Sequence, residues 1–141
     1  VWGNDAQLLH DLRMRTSIPI SAGQNEGHRF RARDLLVNKS VDILQPNVAY
    51  CGGFSEGMKF ATLAHSFNLP IANGGGWPHH NMHLQAAVPN GWRIEYHYVM
   101  WKCGEILFDG CVGPQQGWTT MPLTPGLGLI PKWDALKEFE E

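Results

Sequence analysis

Three histidines crowd one short stretch, residues 74–84, which reads GGGWPHHNMHL. His79 and His83 are four apart, and His80 and His83 three apart, so a helix would set each pair on neighbouring positions. The stretch could be a metal site, a phosphate cradle, or the mouth of a pocket carrying an acid or base. The histidine spacing admits zinc, but no Glu follows the first histidine as in HExxH, and no cysteine is near. The glycines have no GKT or GxGxxG spacing, so they do not make a phosphate loop, and they suit backbone passing close to a ligand. An imidazole titrates near neutral pH, so His79 or His80 is a candidate for proton transfer.

These residues need elements to hold them. Asn4 or Asp5 can cap a helix with Leu8, Leu9, Leu12 and Met14 on its apolar face. SIPISA, residues 17–22, is short, β-branched and followed by Gly23, which reads as a buried strand. GHRFRARDLLVNKS is helical in pattern, with Phe30, Leu35 and Leu36 expected inward and the arginines outward. VDILQPN is a second strand, stopped by Pro46, which cannot donate to a sheet ladder. GGFSEGMKFATLAHSFN is the clearest helix, with Phe54, Met58, Ala61, Leu63, Ala64 and Phe67 expected on one broad face. LPIAN is a third strand, HNMHLQAAVPN a short helix ended before Pro89, and WRIEYH a fourth strand. From Tyr98 the rhythm breaks into a turn-rich tail, and IPKWDALKEFEE closes the chain as a short amphipathic helix.

Strands alternating with helices imply parallel strands joined by crossovers and buried on both faces. In such folds ligands meet the carboxyl ends of the strands. Those ends carry Gln24 and Glu26, then Gln45 and Asn47, then Asn73 and Gly74, then Glu95, Tyr96 and His97. They read as one floor of one pocket. Trp77, Tyr96, His97 and Trp101 are candidate walls, with core packing the plainer role for any one of them.

Bulk properties narrow the classes. At 141 residues, 43% hydrophobic and 17% charged, the chain can bury one core and is not disordered. A net charge of −2 lacks the basic excess of a nucleic-acid surface. No apolar run approaches a membrane span, and residues 1–5 do not open a signal peptide. Three cysteines without CxxC spacing suit a reducing cytoplasm.

Several segments carry a resemblance. IPISAGQ, DILQPNVAYCGGFSEGMKFATLAHSFNLPIA, HLQAAVPNGWRIE and PGLGL resemble the second half of an enolase-superfamily protein of the mandelate racemase subgroup. The similarity runs through nearly the whole chain and rests on the pattern DI-QP-----GG-(S/T)E--K-A-LA before LPIA, at fixed spacing to HL-AA-PN. It implies an α/β fold, the C-terminal half of a (β/α) TIM-type barrel with about four parallel strands and their helices. Residues 1–141 would then be one partial barrel domain, with a C-terminal tail from about residue 98. The resemblance further implies magnesium, which in the family holds the carboxylate of a sugar acid or hydroxy acid while a base removes the proton alpha to it. The enediolate that forms must be met by fixed positive charge and hydrogen-bond donors.

Carried over residue by residue, the resemblance puts Gln24 where the family usually has its third metal carboxylate, with Glu26 as the rival metal ligand. A carboxamide oxygen can bind magnesium without a carboxylate's charge, and the glucarate dehydratases use an asparagine there. Asn47 falls where an aspartate usually orients the catalytic histidine, and the position of that histidine falls on Gly74. Asparagine cannot stabilise an imidazolium as a carboxylate can, so two-base racemase chemistry is disfavoured. His79 and His80 lie a few residues beyond and are the replacement acid–base candidates, while His83 belongs to a packed helix. Glu95 matches a glutamate near the substrate carboxylate; in its protonated form it would donate to the enolate oxygen, and its plainer role is an ion pair with Arg93 or Lys102. Asn73, Gly74, Trp77 and Tyr96 are the expected substrate contacts.

The expected function is therefore a fragment of a metal-dependent acid-sugar dehydratase or related lyase, or a racemase-type isomerase, of the enolase superfamily. The fragment would lack the capping domain and the remaining metal carboxylates, bind no magnesium by itself, and be inactive alone. The alternative is a barrel relic that binds a sugar acid without turning it over. Half a barrel exposes sheet edges and an apolar face, so a homo-oligomer is expected.

Overall fold

The computed structural model describes residues 4–140. Val1, Trp2 and Gly3, within the stretch read for a signal peptide, and Glu141, the last residue of the expected C-terminal helix, lie outside the described residues.

The order is α1 (Ala6–Arg13), β1 (Ser21–Ala22), α2 (Arg29–Val37), β2 (Ile43–Leu44), α3 (Phe54–Ser66), β3 (Ile71–Ala72), α4 (Pro78–Ala87) and β4 (Gly91–Arg93). Then come α5 (Tyr98–Leu107), β5 (Phe108–Asp109), β6 (Ile130–Pro131) and α6 (Trp133–Lys137). β1 to β4 form one sheet in chain order, with every neighbouring pair parallel. Ala22 pairs with Leu44, Leu44 with Ile71, and Ile71 with Gly91, so all four strands end at the same side. A sequential parallel sheet with a helix between each pair of strands is the arrangement of a (β/α) barrel wall. β5 and β6 make a separate antiparallel pair.

The helices pack by period. α2 buries Ala32, Leu35 and Leu36; α3 buries Gly57, Phe60, Ala61 and Ala64. Both sets repeat at three and four residues, the spacing of one helical face. Phe60 is fully buried in the core with Leu35, Leu44, Ile71 and Leu84, a burial that contributes roughly 2–3 kcal/mol. Gly57 is where α3 meets the α4 face: a Cβ there would lie 3.0 Å from Leu84 and 3.2 Å from Val48. At the start of α1, Asp5 Oδ1 accepts the Leu8 N–H at 2.9 Å, which satisfies a free first-turn amide.

Two ion pairs tie layers together. The Arg29 N–H and guanidinium both donate to Glu56, and that backbone bond, helped by the guanidinium and Lys59, holds the carboxyl at about 2. Burial raises the pKa of Asp42, but the Ile20 N–H and the Arg13 guanidinium outweigh it and hold the carboxyl below its usual range.

The structure departs from the sequence expectations in detail. The strands are two or three residues long, so Glu95 lies two residues past β4 rather than inside it. Phe30 is 53% exposed rather than inward, because its side chain is held over Arg29 and Arg33 as a cation–π partner. Phe54, Met58 and Phe67 are also exposed; the buried face of α3 centres on Phe60. The tail after Tyr98 opens with a ten-residue helix, α5, which was expected to be irregular.

Candidate active site

The strand ends build the site from local bonds. Asn47, three residues past β2, is fully buried, and its Nδ2 donates to Gly74 O at 2.6 Å. Its Oδ1 accepts the Ala49 N–H at 2.9 Å and the Asn81 Nδ2 at 3.0 Å. Asn81, on the second turn of α4, is also fully buried and donates to Gly76 O and Trp77 O, while its Oδ1 accepts the Val48 N–H. Asn73, one residue past β3, donates to Gly76 O and accepts the Glu95 N–H. Three buried carboxamides thus bracket Gly74, Gly75 and Gly76, and each pairs backbone groups that would otherwise be stranded out of water.

That bracket aims one amide outward. The Gly76 N–H donates to Glu95 Oε2 at 2.9 Å, which ties the carboxylate to the triglycine turn. Neither plainer partner holds it: Lys102 pairs with Glu105, and Arg93 stacks on Trp92. Glu95 remains exposed beyond β4.

Gln24 and Gln45 complete the rim. A Cβ at Gly74 would lie 2.5 Å from Gln24 Oε1 and 3.0 Å from Gln45 Nε2. The space a side chain at position 74 would need is therefore filled by two carboxamides. Gln24, Gln45, Asn47, Asn73, Gly74 and Glu95 come together at one end of the sheet.

Other expected site residues are engaged by other partners. Glu26 is buried, with Oε1 accepting from Asn4 and Oε2 from Arg31. His79 is buried in the first turn of α4 with Nε2 3.0 Å from Val112 O; a carbonyl only accepts, so Nε2 carries the proton. Burial pushes its pKa below the usual imidazole range, against the Val112 bond and the charge of Glu105. Tyr96 turns its hydroxyl to Val112 O and Thr119, and its ring meets His79 and Trp101 edge-on. His79, Tyr96 and Trp101 are therefore a packed cluster between α4 and the tail. His80 is half-buried against the edge of Trp77, and burial, then the neighbouring His79 and His83, lower its pKa. Trp77 begins α4 in the left-handed region at φ 55°. His83 contacts Leu127 O and Phe54.

Sequence reasoning missed Asn81. The signal was there: Pro78, Asn81, Met82 and Gln85 are buried and fall at a helical period, so two carboxamides lie on the inward face of α4. A poor helix former on a buried face marks a residue held there by its bonds.

A cavity of about 680 Å³ lies away from the rim. It is an open apolar groove between α3, α4 and the tail, lined by residues such as Phe54, Met58, His83 and Met121. Such a lining has little to hold a polar acid.

The donor set does not fit magnesium from this chain alone. Magnesium takes a near-octahedral shell of oxygens, usually with one or two carboxylates. Among the described residues no group of three His, Cys, Asp or Glu could hold a metal ion. Gln24 is neutral and Glu26 is engaged by Arg31.

Comparison with known proteins agrees with the fold. The chain is 34% identical to a D-xylonate dehydratase of Haloferax volcanii, over 95% of this chain and 33% of that protein. It is 27% identical to an arabinonate dehydratase of Saccharolobus solfataricus, over 96% of this chain and 36% of that one. It therefore spans about a third of the length of these curated relatives. Among solved structures, it superposes with a TM-score of 0.80 and 25% identity on an L-talarate dehydratase from Polaromonas sp. JS666 complexed with magnesium and L-glucarate. That match covers 94% of this chain and 36% of the other. A mandelate racemase/muconate lactonizing enzyme matches at a TM-score of 0.86 and 25% identity, over 97% and 37%. The family described as "Enolase C-terminal domain-like" matches residues 1–135, and the chain belongs to it, as part of an enolase-superfamily TIM-type barrel.

Proposed function

We propose that this chain is the C-terminal part of a metal-dependent acid-sugar dehydratase, contributing a substrate rim and the Glu95 carboxylate, and that it is inactive by itself. The observation that carries this reading is the convergence of Gln24, Asn47, Gly74 and Glu95 at one end of four parallel strands. The xylonate and arabinonate dehydratases among its relatives support a sugar acid as substrate. The metal carboxylates would come from the rest of the whole protein, and the chain's own part is to bind, orient and move protons. In this reading Glu95 is the acid or base toward the substrate, and its bond from the Gly76 N–H supports that role by holding the carboxylate at the turn. The cysteines are free thiols, in keeping with a reducing cytoplasm.

The test is a turnover assay with magnesium and a panel of five- and six-carbon aldonates. The polypeptide extended upstream through its own gene is compared with the 141-residue chain. Loss of water from an aldonate by the extended protein, with none from the chain alone, supports the reading. Turnover by the chain alone would refute its inactivity.

A second reading has one observation in its favour. No titratable side chain occupies position 74, and the partner position holds the neutral Asn47, so a barrel that only binds a sugar acid would look the same. An extended protein that binds an aldonate saturably without consuming it would decide for this reading.

A further inference from the structure

We propose that Gln24 and Gln45 form a neutral subsite above Gly74 that takes the hydroxyls of a polyol segment, not a metal ion and not a carboxylate. The proposal rests on the reading of the rim as a sugar-acid site and assigns it a specificity determinant. Gly74 is the first observation. It does not lie in the left-handed region, so its backbone does not demand glycine. The space does: a Cβ would collide with Gln24 Oε1. The missing side chain lets the Gln24 and Gln45 carboxamides close together over position 74.

The two glutamines are the second observation. Both are half-buried, and their side chains make no hydrogen bond among the described residues, unlike the saturated Asn47, Asn73 and Asn81 beneath them. Neither is among the buried polar atoms cut off without a partner, so both keep access to solvent. Each carboxamide offers a donor and an acceptor, which is what a hydroxyl also offers. Two of them converging on one point suit a pair of adjacent hydroxyls.

Charge is the third. The side-chain atoms nearest the Cβ positions of Gly74 and Gly75 belong to Gln24, Gln45, Asn47 and Tyr50, all uncharged. A carboxylate seeks Arg, Lys or a metal, and nearby Arg31 is engaged by Glu26 and Asp34. The Tyr50 ring is 48% exposed beside Gly75 and offers an apolar face to the C–H side of the polyol.

The experiment follows the side-chain amides of Gln24 and Gln45 and the Gly74 N–H by NMR in the isotope-labelled chain. Four probes are titrated separately: xylitol, D-xylonate, acetate and magnesium chloride. Xylitol and D-xylonate are expected to shift the three signals saturably, and acetate and magnesium chloride to leave them in place. Gly74→Ala, whose Cβ displaces the Gln24 carboxamide, is expected to weaken both polyols at least about tenfold while the spectrum stays dispersed. If Gly74→Ala does not fold, Gln45→Leu gives the same answer by removing one hydrogen-bonding group from an accessible position. Shifts produced by acetate or magnesium alone, no response to xylitol, or unchanged polyol affinity in these variants would each overturn the proposal. The two readings fail separately: polyol binding with no turnover by the extended protein sinks only the dehydratase, and turnover without polyol binding here sinks only the subsite.

Discussion

Asn81 Nδ2 donates to Asn47 Oδ1 across 3.0 Å, joining the second turn of α4 to the loop after β2, with both side chains fully buried. Through this pair the triglycine turn is held by neutral groups. Asn47 fixes Gly74 O, Asn81 fixes Gly76 O, and the Gly76 N–H is left to meet Glu95. The carbonyls of the turn are therefore held by carboxamides rather than by ionisable side chains.

Removing Asn81 strands the buried Val48 N–H and takes one of several bonds from Asn47 Oδ1, Gly76 O and Trp77 O. Asn81→Leu is expected to cost about 2–4 kcal/mol, the range for stranding buried polar groups. Urea denaturation followed by circular dichroism measures it. A loss below about 1 kcal/mol would show that water replaces the network.

Placing an imidazole at position 74 does not restore an acid–base pair. Gly74→His drives its Cβ into the Gln24 carboxamide and is expected to destabilise the chain by roughly 1–3 kcal/mol. Because the tightest contact is the end of the flexible Gln24 side chain, Gln24→Ala should recover part of that loss, with Gln45 and the retained Cβ at position 24 still close. The double-mutant cycle reads a coupling above about 0.5 kcal/mol; additive effects would mean the two residues do not meet.

His79 gives the chain a pH dependence with a definite sign. Burial lowers its folded pKa, while an unfolded imidazole titrates near about 6.5. Between the two values the unfolded state binds the extra proton, so stability is complete above about 6.5 and is lost as pH falls toward the folded value. His80 acts in the same direction. Thermal melts between about pH 5 and 8 should show a falling midpoint on the acid side, with a smaller slope in His79→Gln. An unchanged slope in that variant would place the titration elsewhere.

How much of this was legible depended on which physical signal each feature carries. The alternation of strand and helix was readable because apolar runs and helical periods are local, and it brought Gln24, Asn47, Gly74 and Glu95 to one rim before any coordinates. Strand length was not readable: SIPISA reads as a strand along its whole length, yet only Ser21 and Ala22 find a ladder partner in β2. The face of α3 was misjudged because Phe54 and Met58 are apolar but line an open groove, so hydrophobicity alone does not say inward. Helix α5 was hidden by the irregular segment around it. The place of His79 was invisible because its partner, Val112, lies 33 residues away in that same tail.

Exposed apolar residues predict self-association. Leu8, Leu12, Met14 and Ile18, in and just after α1, are 43–71% exposed, and β1 pairs on one side only among the described residues. An unpaired edge and an apolar patch favour association with another copy. Light scattering of the purified chain is expected to give a mass of at least a dimer, and Leu8→Glu with Ile18→Glu to reduce it. A stable, soluble monomer would contradict this.

The most direct measurement is a crystal structure of the upstream-extended protein soaked with D-xylonate. The sugar acid is expected at the carboxyl ends of β1 to β4, with hydroxyls on Gln24 and Gln45 and its acid end within reach of Glu95. Density for the ligand in the apolar groove of Phe54, Met58 and Met121, with the strand ends empty, would contradict the assignment of the rim as the site.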